Sequence, residues 1–124
     1  MRLLLDTHVL LWWQTDDRRL GREAREAIAT ADLVWVSAVS GWEASIKAAR
    51  GRLRLDERFR ILVAVDGFTE LPVSLAHAER LLDLPAHHGD PFDRLLVAQA
   101  LVEKATLVTH DRALEPYGAP VIWT

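Results

Sequence analysis

The chain has 124 residues, of which 50% are hydrophobic and 27% are charged, so we expect one folded domain over residues 1–124 rather than a disordered chain. It contains no cysteine, which excludes disulfides, thiol catalysis and thiolate zinc sites. Its net charge of −3 argues against nucleic-acid binding by bulk positive charge alone, and no apolar run reaches membrane-spanning length, so we expect a cytoplasmic protein without membrane association.

Short apolar strands alternate with helical segments along the chain. The predicted strands are residues 3–5, 33–36, 68–73, 106–109 and 121–123. The predicted helices are residues 7–13, 21–31, 37–50, 59–65, 74–84 and 91–102, and a short helical turn begins at 110–111. Strands separated by helices pair in parallel through right-handed crossovers. We therefore predict an α/β fold of three layers, with a central, mostly parallel sheet of four to five strands and helices on both faces.

Four acidic residues are placed where open parallel sheets bind ligands, outside the carboxyl ends of the strands. Asp6 follows the first strand, Asp111 follows the strand at 106–109, and Glu43 lies in the second turn of the helix after the second strand. Asp93 is the third residue of its helix and shares a stripe with apolar residues, where an uncompensated carboxylate is costly. We expect these acids to bind a cation.

The type of cation follows from the available ligands. Carboxylates are hard oxygen ligands, and no His-x-x-x-His or comparable pair lies near the four acids in the sequence. Mg²⁺ therefore fits best, with Mn²⁺ as a substitute. A divalent ion held by several carboxylates is what metal-assisted phosphodiester hydrolysis requires, so this reaction class is our prediction.

Without the four acids the chain would have 15 basic and 14 acidic residues, and its net charge would be +1. Six basic residues fall in segment 47–60 and four more in segment 18–25. Either group could contact nucleic-acid phosphates, and the candidates in the first group are Lys47, Arg50, Arg52 and Arg54. The alternative for these segments is a solvated face with local ion pairs.

The same residues also have ordinary structural explanations. Asp6 could be an N-cap only, Asp93 could serve its helix dipole, and Glu43 could pair with Lys47. We expect the five tryptophans to pack in the core or in an interface rather than stack on bases. His87-His88 is expected to be an exposed loop pair without a catalytic role.

The motifs carry a resemblance to a known family. They are Leu3-Leu4-Leu5-Asp6-Thr7 with Val9-Leu10-Leu11-Trp12-Trp13, then Val36-Ser37 with Trp42-Glu43 and Ile46-Lys47, then Asp90-Pro91-Phe92-Asp93-Arg94-Leu95-Leu96-Val97-Ala98-Gln99-Ala100, and finally Leu107-Val108-Thr109-His110-Asp111. Over nearly its whole length the chain resembles the PIN-domain ribonuclease toxins of the VapC type. The resemblance implies a PIN-like fold and a Mg²⁺-dependent endoribonuclease, the toxin of a type II toxin–antitoxin pair. It further implies a homodimer that cleaves RNA and is inhibited by a VapB-like antitoxin whose tail enters the acidic site.

The resemblance also implies roles for individual residues. Asp6 and Asp93 correspond to the principal metal ligands, and Glu43 and Asp111 to the remaining acids, which act directly, through water or on a second metal. Thr109 corresponds to the hydroxyl that holds the first aspartate. Glu43 is our candidate for positioning the attacking water.

Two positions depart from the family pattern, and two other functions stay open. His8 stands where such proteins often have a small residue, and Asp90 leaves open which acid of that pair faces the site, although the helix pattern favours Asp93. A catalytically inert PIN-like module could use the acids to bind a basic partner peptide. A Mg²⁺-dependent phosphatase of the haloacid dehalogenase type is less favoured, because it needs a second aspartate where this chain has His8.

Overall fold

The computed structural model describes residues 1–86 and 89–124, so His87 and His88, and the expectation stated for them, lie outside the described residues. In these two ranges five strands form one sheet: β1 (Arg2–Leu5), β2 (Leu33–Ser37), β3 (Thr69–Leu71), β4 (Thr106–Thr109) and β5 (Val121–Trp123). The strand order is β3-β2-β1-β4-β5, and each neighbouring pair is parallel. The prediction of a parallel sheet with up to five strands is confirmed.

The described residues include six α-helices that connect these strands: α1 (Thr7–Thr15), α2 (Arg22–Thr30), α3 (Ala38–Ala49), α4 (Phe59–Val65), α5 (Leu75–Arg80) and α6 (Pro91–Glu103). Four of them begin after an N-cap side chain that accepts a hydrogen bond from a first-turn amide, namely Asp6, Ser37, Ser74 and Asp90. The helix predicted over 74–84 is divided, because α5 ends at Arg80 and a 3-10 turn covers Leu81–Asp83. A second 3-10 turn, Arg112–Tyr117, connects β4 to β5. No helix in the described part of the chain is long and apolar enough to cross a membrane.

Two apolar clusters lie on opposite faces of the sheet, and the alternation of side chains along β1 separates them. Leu3 and Leu5 pack in the cluster that includes residues of α1, α2 and α4. Leu4 packs in the other cluster, with residues of α3 and α6. The molecule therefore has the three layers predicted from the sequence, helices on each face of a central sheet.

The strand order reverses beside β1, and this places the site. The chain moves outward from β1 to β2 and β3, and then returns to the other side of β1 to form β4. Leu5 pairs with Val108, and the amide of Asp6 donates a hydrogen bond to the carbonyl of Val108 at 3.0 Å. The carboxyl ends of β1 and β4 thus lie side by side at the point where open parallel sheets form a ligand crevice.

Candidate active site

Asp6 is both the N-cap of α1 and a residue of the crevice. Its side chain is only 6% exposed, and its Oδ1 accepts a hydrogen bond from the amide of Val9 at 2.9 Å. Its Oδ2 accepts a hydrogen bond from the Thr109 hydroxyl at 2.5 Å, across the junction between β1 and β4. A carboxylate oxygen has two lone pairs, so each oxygen keeps acceptor capacity for a further ligand.

Glu43 reaches the same crevice from the second turn of α3. It is 8% exposed, and its two oxygens have different partners. Oε1 accepts a hydrogen bond from the Thr7 hydroxyl at 2.8 Å, and Oε2 accepts one from Lys47 Nζ at 3.0 Å. The predicted pairing of Glu43 with Lys47 is therefore present, but it lies inside the crevice rather than on an open helix face.

Asp90 and Asp93 come from the start of α6 and have different environments. Asp90 Oδ1 accepts hydrogen bonds from the amides of Phe92 and Asp93, at 2.8 and 3.3 Å, so it caps the helix. Asp93 is half-buried in the first turn of the helix. Both residues line the crevice.

Thr109 joins two of the acids. Besides donating to Asp6, its hydroxyl oxygen accepts a hydrogen bond from the amide of Asp111 at 3.1 Å. Asp111 in turn caps the following 3-10 turn, because its Oδ1 accepts from the amide of Ala113 at 3.0 Å. The end of β4 thus sets the positions of Asp6 and Asp111 together.

These residues surround one small crevice, which we call the acidic cleft. Its volume is about 140 Å³, and it is lined by Asp6, Thr7, His8, Glu43, Lys47, Asp90, Asp93, His110 and Asp111. The four acids predicted from the sequence therefore meet at the carboxyl edge of the sheet. A larger cavity of about 320 Å³ between α3 and α4 has mostly apolar lining, and Glu70 is the one acid that lines it, so it lacks the ligands for a hard cation.

Two histidines in the acidic cleft were not anticipated. The sequence has no His-x-x-x-His pair near the acids, but His8, in the first turn of α1, and His110, directly after β4, both lie next to Asp6. Their rings contact edge to face with centroids 5.2 Å apart, and His110 Nδ1 lies 3.6 Å from Asp6 Oδ2. Their sequence signal is the one that Asp6 and Asp111 share, since each histidine lies within three positions of the end of a strand.

The acids alter the protonation of His110. Its contact with the Asp6 carboxylate raises the pKa of His110 above its ordinary value, and the negative charges of Asp6, Asp111 and Asp93 add to this effect while partial burial opposes it. At 3.6 Å the two side chains form an ion pair rather than a short hydrogen bond. The end of the cleft beside Asp6 therefore favours positive charge.

The predicted phosphate contacts are only partly assembled. Lys47 lines the acidic cleft, whereas Arg50, Arg52 and Arg54 lie outside it, at exposed positions after α3. Arg54 Nε lies 3.6 Å from Asp56, which is the local ion pair that the alternative explanation expected. Of these four predicted phosphate contacts, Lys47 therefore lines the acidic cleft and the three arginines do not.

Trp42 does not pack in the core, and its packing in an interface, the other part of the expectation, stays a prediction. It is 58% exposed, and it contacts Phe92 edge to face with ring centroids 5.0 Å apart. Trp42 precedes Glu43 and Phe92 precedes Asp93, so this aromatic pair bridges α3 and α6 at the rim of the acidic cleft.

Comparisons with known proteins agree with this architecture. The family model described as the PIN domain matches residues 3–119. Ribonuclease VapC22 of Mycobacterium tuberculosis is 33% identical over 123 residues, which are 95% of this chain and 93% of that protein.

Solved structures with the same fold include components of toxin–antitoxin complexes. A chain of VapBC2 from Rickettsia felis, bound to a promoter DNA fragment, matches with a TM-score of 0.74 at 15% identity, over 98% of this chain and 96% of that chain. A chain of a toxin–antitoxin complex from Klebsiella pneumoniae matches with a TM-score of 0.65 at 21% identity, over 97% of this chain and 95% of that chain. From the extent of the family match and the identity to a VapC ribonuclease, we conclude that the chain belongs to the PIN-domain family, among the relatives of VapC.

Proposed function

We propose that this protein is a Mg²⁺-dependent endoribonuclease, the toxin of a type II toxin–antitoxin pair. The observation that carries the proposal is the meeting of Asp6, Glu43, Asp93 and Asp111 in one small cleft at the carboxyl edge of the sheet. The relationship to a VapC ribonuclease supports the same reaction. The cytoplasm remains the expected location of this activity.

The donor set of the acidic cleft fits a hard divalent ion. Several carboxylates from different elements converge, and hard oxygen ligands of this kind suit Mg²⁺ or Mn²⁺. Asp6 and Asp93 would hold the ion, with Glu43 and Asp111 contributing directly or through water. When bound, such an ion supplies an acidified water and neutralises charge on the phosphate.

The surrounding groups explain how the acids stay in position. Asp6 is held from both sides by the Val9 amide and the Thr109 hydroxyl, and Glu43 is held by the Thr7 hydroxyl. This rigidity keeps the carboxylates ready for a cation before it arrives. In this proposal Glu43 would orient a water for in-line attack on the phosphate.

Substrate contacts are expected on two sides of the cleft. Lys47 provides a positive charge in the cleft itself, where it can stabilise the leaving oxygen or a phosphate. At the rim, the exposed Trp42, backed by Phe92, offers a face on which an unpaired base can stack. Both features favour a single-stranded or looped RNA segment.

Partner binding forms part of the proposal. A VapB-like antitoxin would insert a basic side chain among the acids, and the hydrogen bond from Lys47 to Glu43 shows that the cleft accepts an ammonium group. A homodimer is also expected, and exposed apolar residues around α5, including Leu75 and Leu82, are candidates for its interface. Light scattering of Leu75→Glu/Leu82→Glu tests this, and a mass unchanged from a wild-type dimer would exclude that interface.

A second candidate function is a non-catalytic module that binds a basic peptide through the same acids. The Lys47 contact with Glu43 favours it as much as it favours inhibition by an antitoxin. Only chemistry on RNA separates the two, because both need the acids.

The deciding experiment is cleavage of total RNA by the purified, antitoxin-free protein with Mg²⁺ and with EDTA. Asp93→Asn is run beside the wild type, and it should keep the fold and lose cleavage. The matched control is Asp66→Asn, the same chemical change at an exposed position at the end of α4, and it should cleave as the wild type does.

The outcomes discriminate cleanly. Cutting that needs Mg²⁺ and is absent only in Asp93→Asn supports the nuclease. Equal cutting by Asp93→Asn points to a contaminating nuclease and removes Asp93 from the site. No cutting of transfer, ribosomal or messenger RNA under any metal would favour the peptide-binding module.

A further inference from the structure

Asp6, His8 and His110 form a compact group at one end of the acidic cleft. A carboxylate oxygen of Asp6 and one ring nitrogen from each histidine all lie within 4.8 Å of one another. We propose that these three residues form a binding site for a borderline divalent transition metal of the Zn²⁺ class. The carboxylates Glu43 and Asp93 are not among its ligands.

The distances are close to those of a tetrahedral site. With bonds of about 2.0–2.1 Å from Zn²⁺ to oxygen and nitrogen, two ligand atoms of a tetrahedron are about 3.3 Å apart. Asp6 Oδ2 and His110 Nδ1 are 3.6 Å apart. His8 and His110 are exposed, so their rings can turn to close the remaining distances.

The surrounding contacts position these ligands. The Val9 amide and the Thr109 hydroxyl orient the Asp6 carboxylate, as such groups do for metal-bound residues. The buried Trp12 packs against both imidazoles, with ring centroids 6.1 Å from His8 and 5.0 Å from His110. Folding therefore already restricts these side chains, so metal binding loses less conformational entropy.

The donor set selects the metal. Two imidazoles and one carboxylate suit Zn²⁺, Ni²⁺ or Fe²⁺ better than Mg²⁺, which prefers oxygen ligands and retained water. Three protein ligands also leave a fourth position open. The negative charge of Asp111, which lines the same cleft, also attracts a divalent cation to this end.

Sharing Asp6 has a functional consequence, and this consequence rests on the proposed nuclease function. A Zn²⁺ ion bound to Asp6 and the histidines withdraws one carboxylate from the hard-metal site and places a second charge beside it. Zinc-class ions should then inhibit cleavage at concentrations far below those of Mg²⁺. The nuclease would be sensitive to free transition metal.

The test measures metal affinity and needs no RNA. Chelator-stripped protein competes for Zn²⁺ with a chromophoric chelator, using wild type, His8→Gln and His110→Gln. Each substitution should weaken Zn²⁺ binding by about tenfold or more, since each removes one of three ligands. The matched control is His77→Gln, which removes an imidazole of α5 that does not line the acidic cleft and should bind Zn²⁺ as the wild type does.

Two further measurements separate this site from the carboxylate site. Co²⁺ should give the intense visible absorption of four-coordinate cobalt in the wild type and lose it in His8→Gln and His110→Gln. Asp93→Asn should keep its Zn²⁺ affinity while losing stabilisation by Mg²⁺ in thermal unfolding. Wild-type Zn²⁺ affinity in either histidine variant, or an equal loss of it in Asp93→Asn, overturns the proposal, whatever the result of the RNA cleavage assay.

Discussion

Replacing Thr109 by valine tests how the acidic cleft is held together. Thr109 is fully buried, and valine has nearly the same shape, so the main change is the loss of the hydroxyl. That hydroxyl donates to Asp6 at 2.5 Å and accepts from the Asp111 amide at 3.1 Å. Thr109→Val therefore leaves a buried carboxylate short of one hydrogen bond.

The size of the effect can be worked out from these contacts. A hydrogen bond to a charged group contributes about 1.5–3 kcal/mol to stability, and the Asp111 amide, which is only partly buried, can turn to water. A chain of 124 residues has an unfolding entropy of about 0.26 kcal/mol/K, so 1 kcal/mol corresponds to about 4 °C. The melting temperature of Thr109→Val should fall by about 6–12 °C.

The assay is thermal and urea unfolding of metal-free and Mg²⁺-loaded protein. Because Asp6 loses its orienting partner, Thr109→Val should also bind Mg²⁺ about tenfold more weakly. Thr109→Ser is the matched control, since it keeps the hydroxyl and loses only a buried methyl group, worth about 1 kcal/mol. Wild-type stability and Mg²⁺ affinity in Thr109→Val would refute the role assigned to this hydrogen bond.

Three further predictions concern charge and the aromatic rim. Lys47→Met removes the ammonium group beside Glu43, so Mg²⁺ should bind several-fold more tightly. The affinity for RNA should fall, and the salt dependence of RNA binding should weaken by about one phosphate contact. Tighter RNA binding by this variant would contradict the prediction. The hydrogen bonds from Arg19 lower the pKa of Asp17 from 3.8 to about 2, so the stabilisation by this carboxylate should be complete above about pH 5 and disappear as the pH falls through 2. Asp17→Asn should then be less stable than the wild type near pH 7, and their unfolding midpoints should converge in acid; a difference independent of pH would refute the assignment. Trp42→Ala, in a cleavage-inactive background, should lose about 1–3 kcal/mol of RNA binding free energy, and Trp42→Phe should retain most of it. A change in oligomeric state without a change in RNA affinity would assign Trp42 to an interface instead.

Much of the fold could be read from local sequence signals. Apolar runs of three to five residues that end in a capping residue predict strands followed by helices, and the structure has them at β1–α1 and β2–α3. The third helix also ends where the sequence has a glycine, since Gly51 follows its C-cap with a φ of +70°. The segment after Ser74 was predicted less well, since the sequence indicated one helix and the structure has an α-helix followed by a 3-10 turn. The spacing of apolar residues does not distinguish these two arrangements.

The candidate site was predictable for a different reason. Residues that directly follow parallel strands meet at one edge of the sheet, so the positions of Asp6 and Asp111 in the chain already implied that they are close. The same reasoning applies to His8 and His110, which also come shortly after strands and therefore lie at the same edge of the sheet. Helical spacing within one segment does not reveal this pair, because the two residues are about a hundred positions apart and follow strands that only the tertiary structure pairs.

The sequence by itself determined the alternation of strands and helices, the parallel class of the sheet and the residue types available for a cation, since these depend on local periodicity, capping and composition. Only the tertiary structure decided the strand order, and with it the pairing of β1 with β4. That pairing placed the Thr109 hydroxyl against Asp6, two imidazoles beside the same carboxylate, and Trp42 at an exposed rim rather than in the core. Such contacts join residues distant in the chain, and their distances depend on register and packing, which no local pattern encodes.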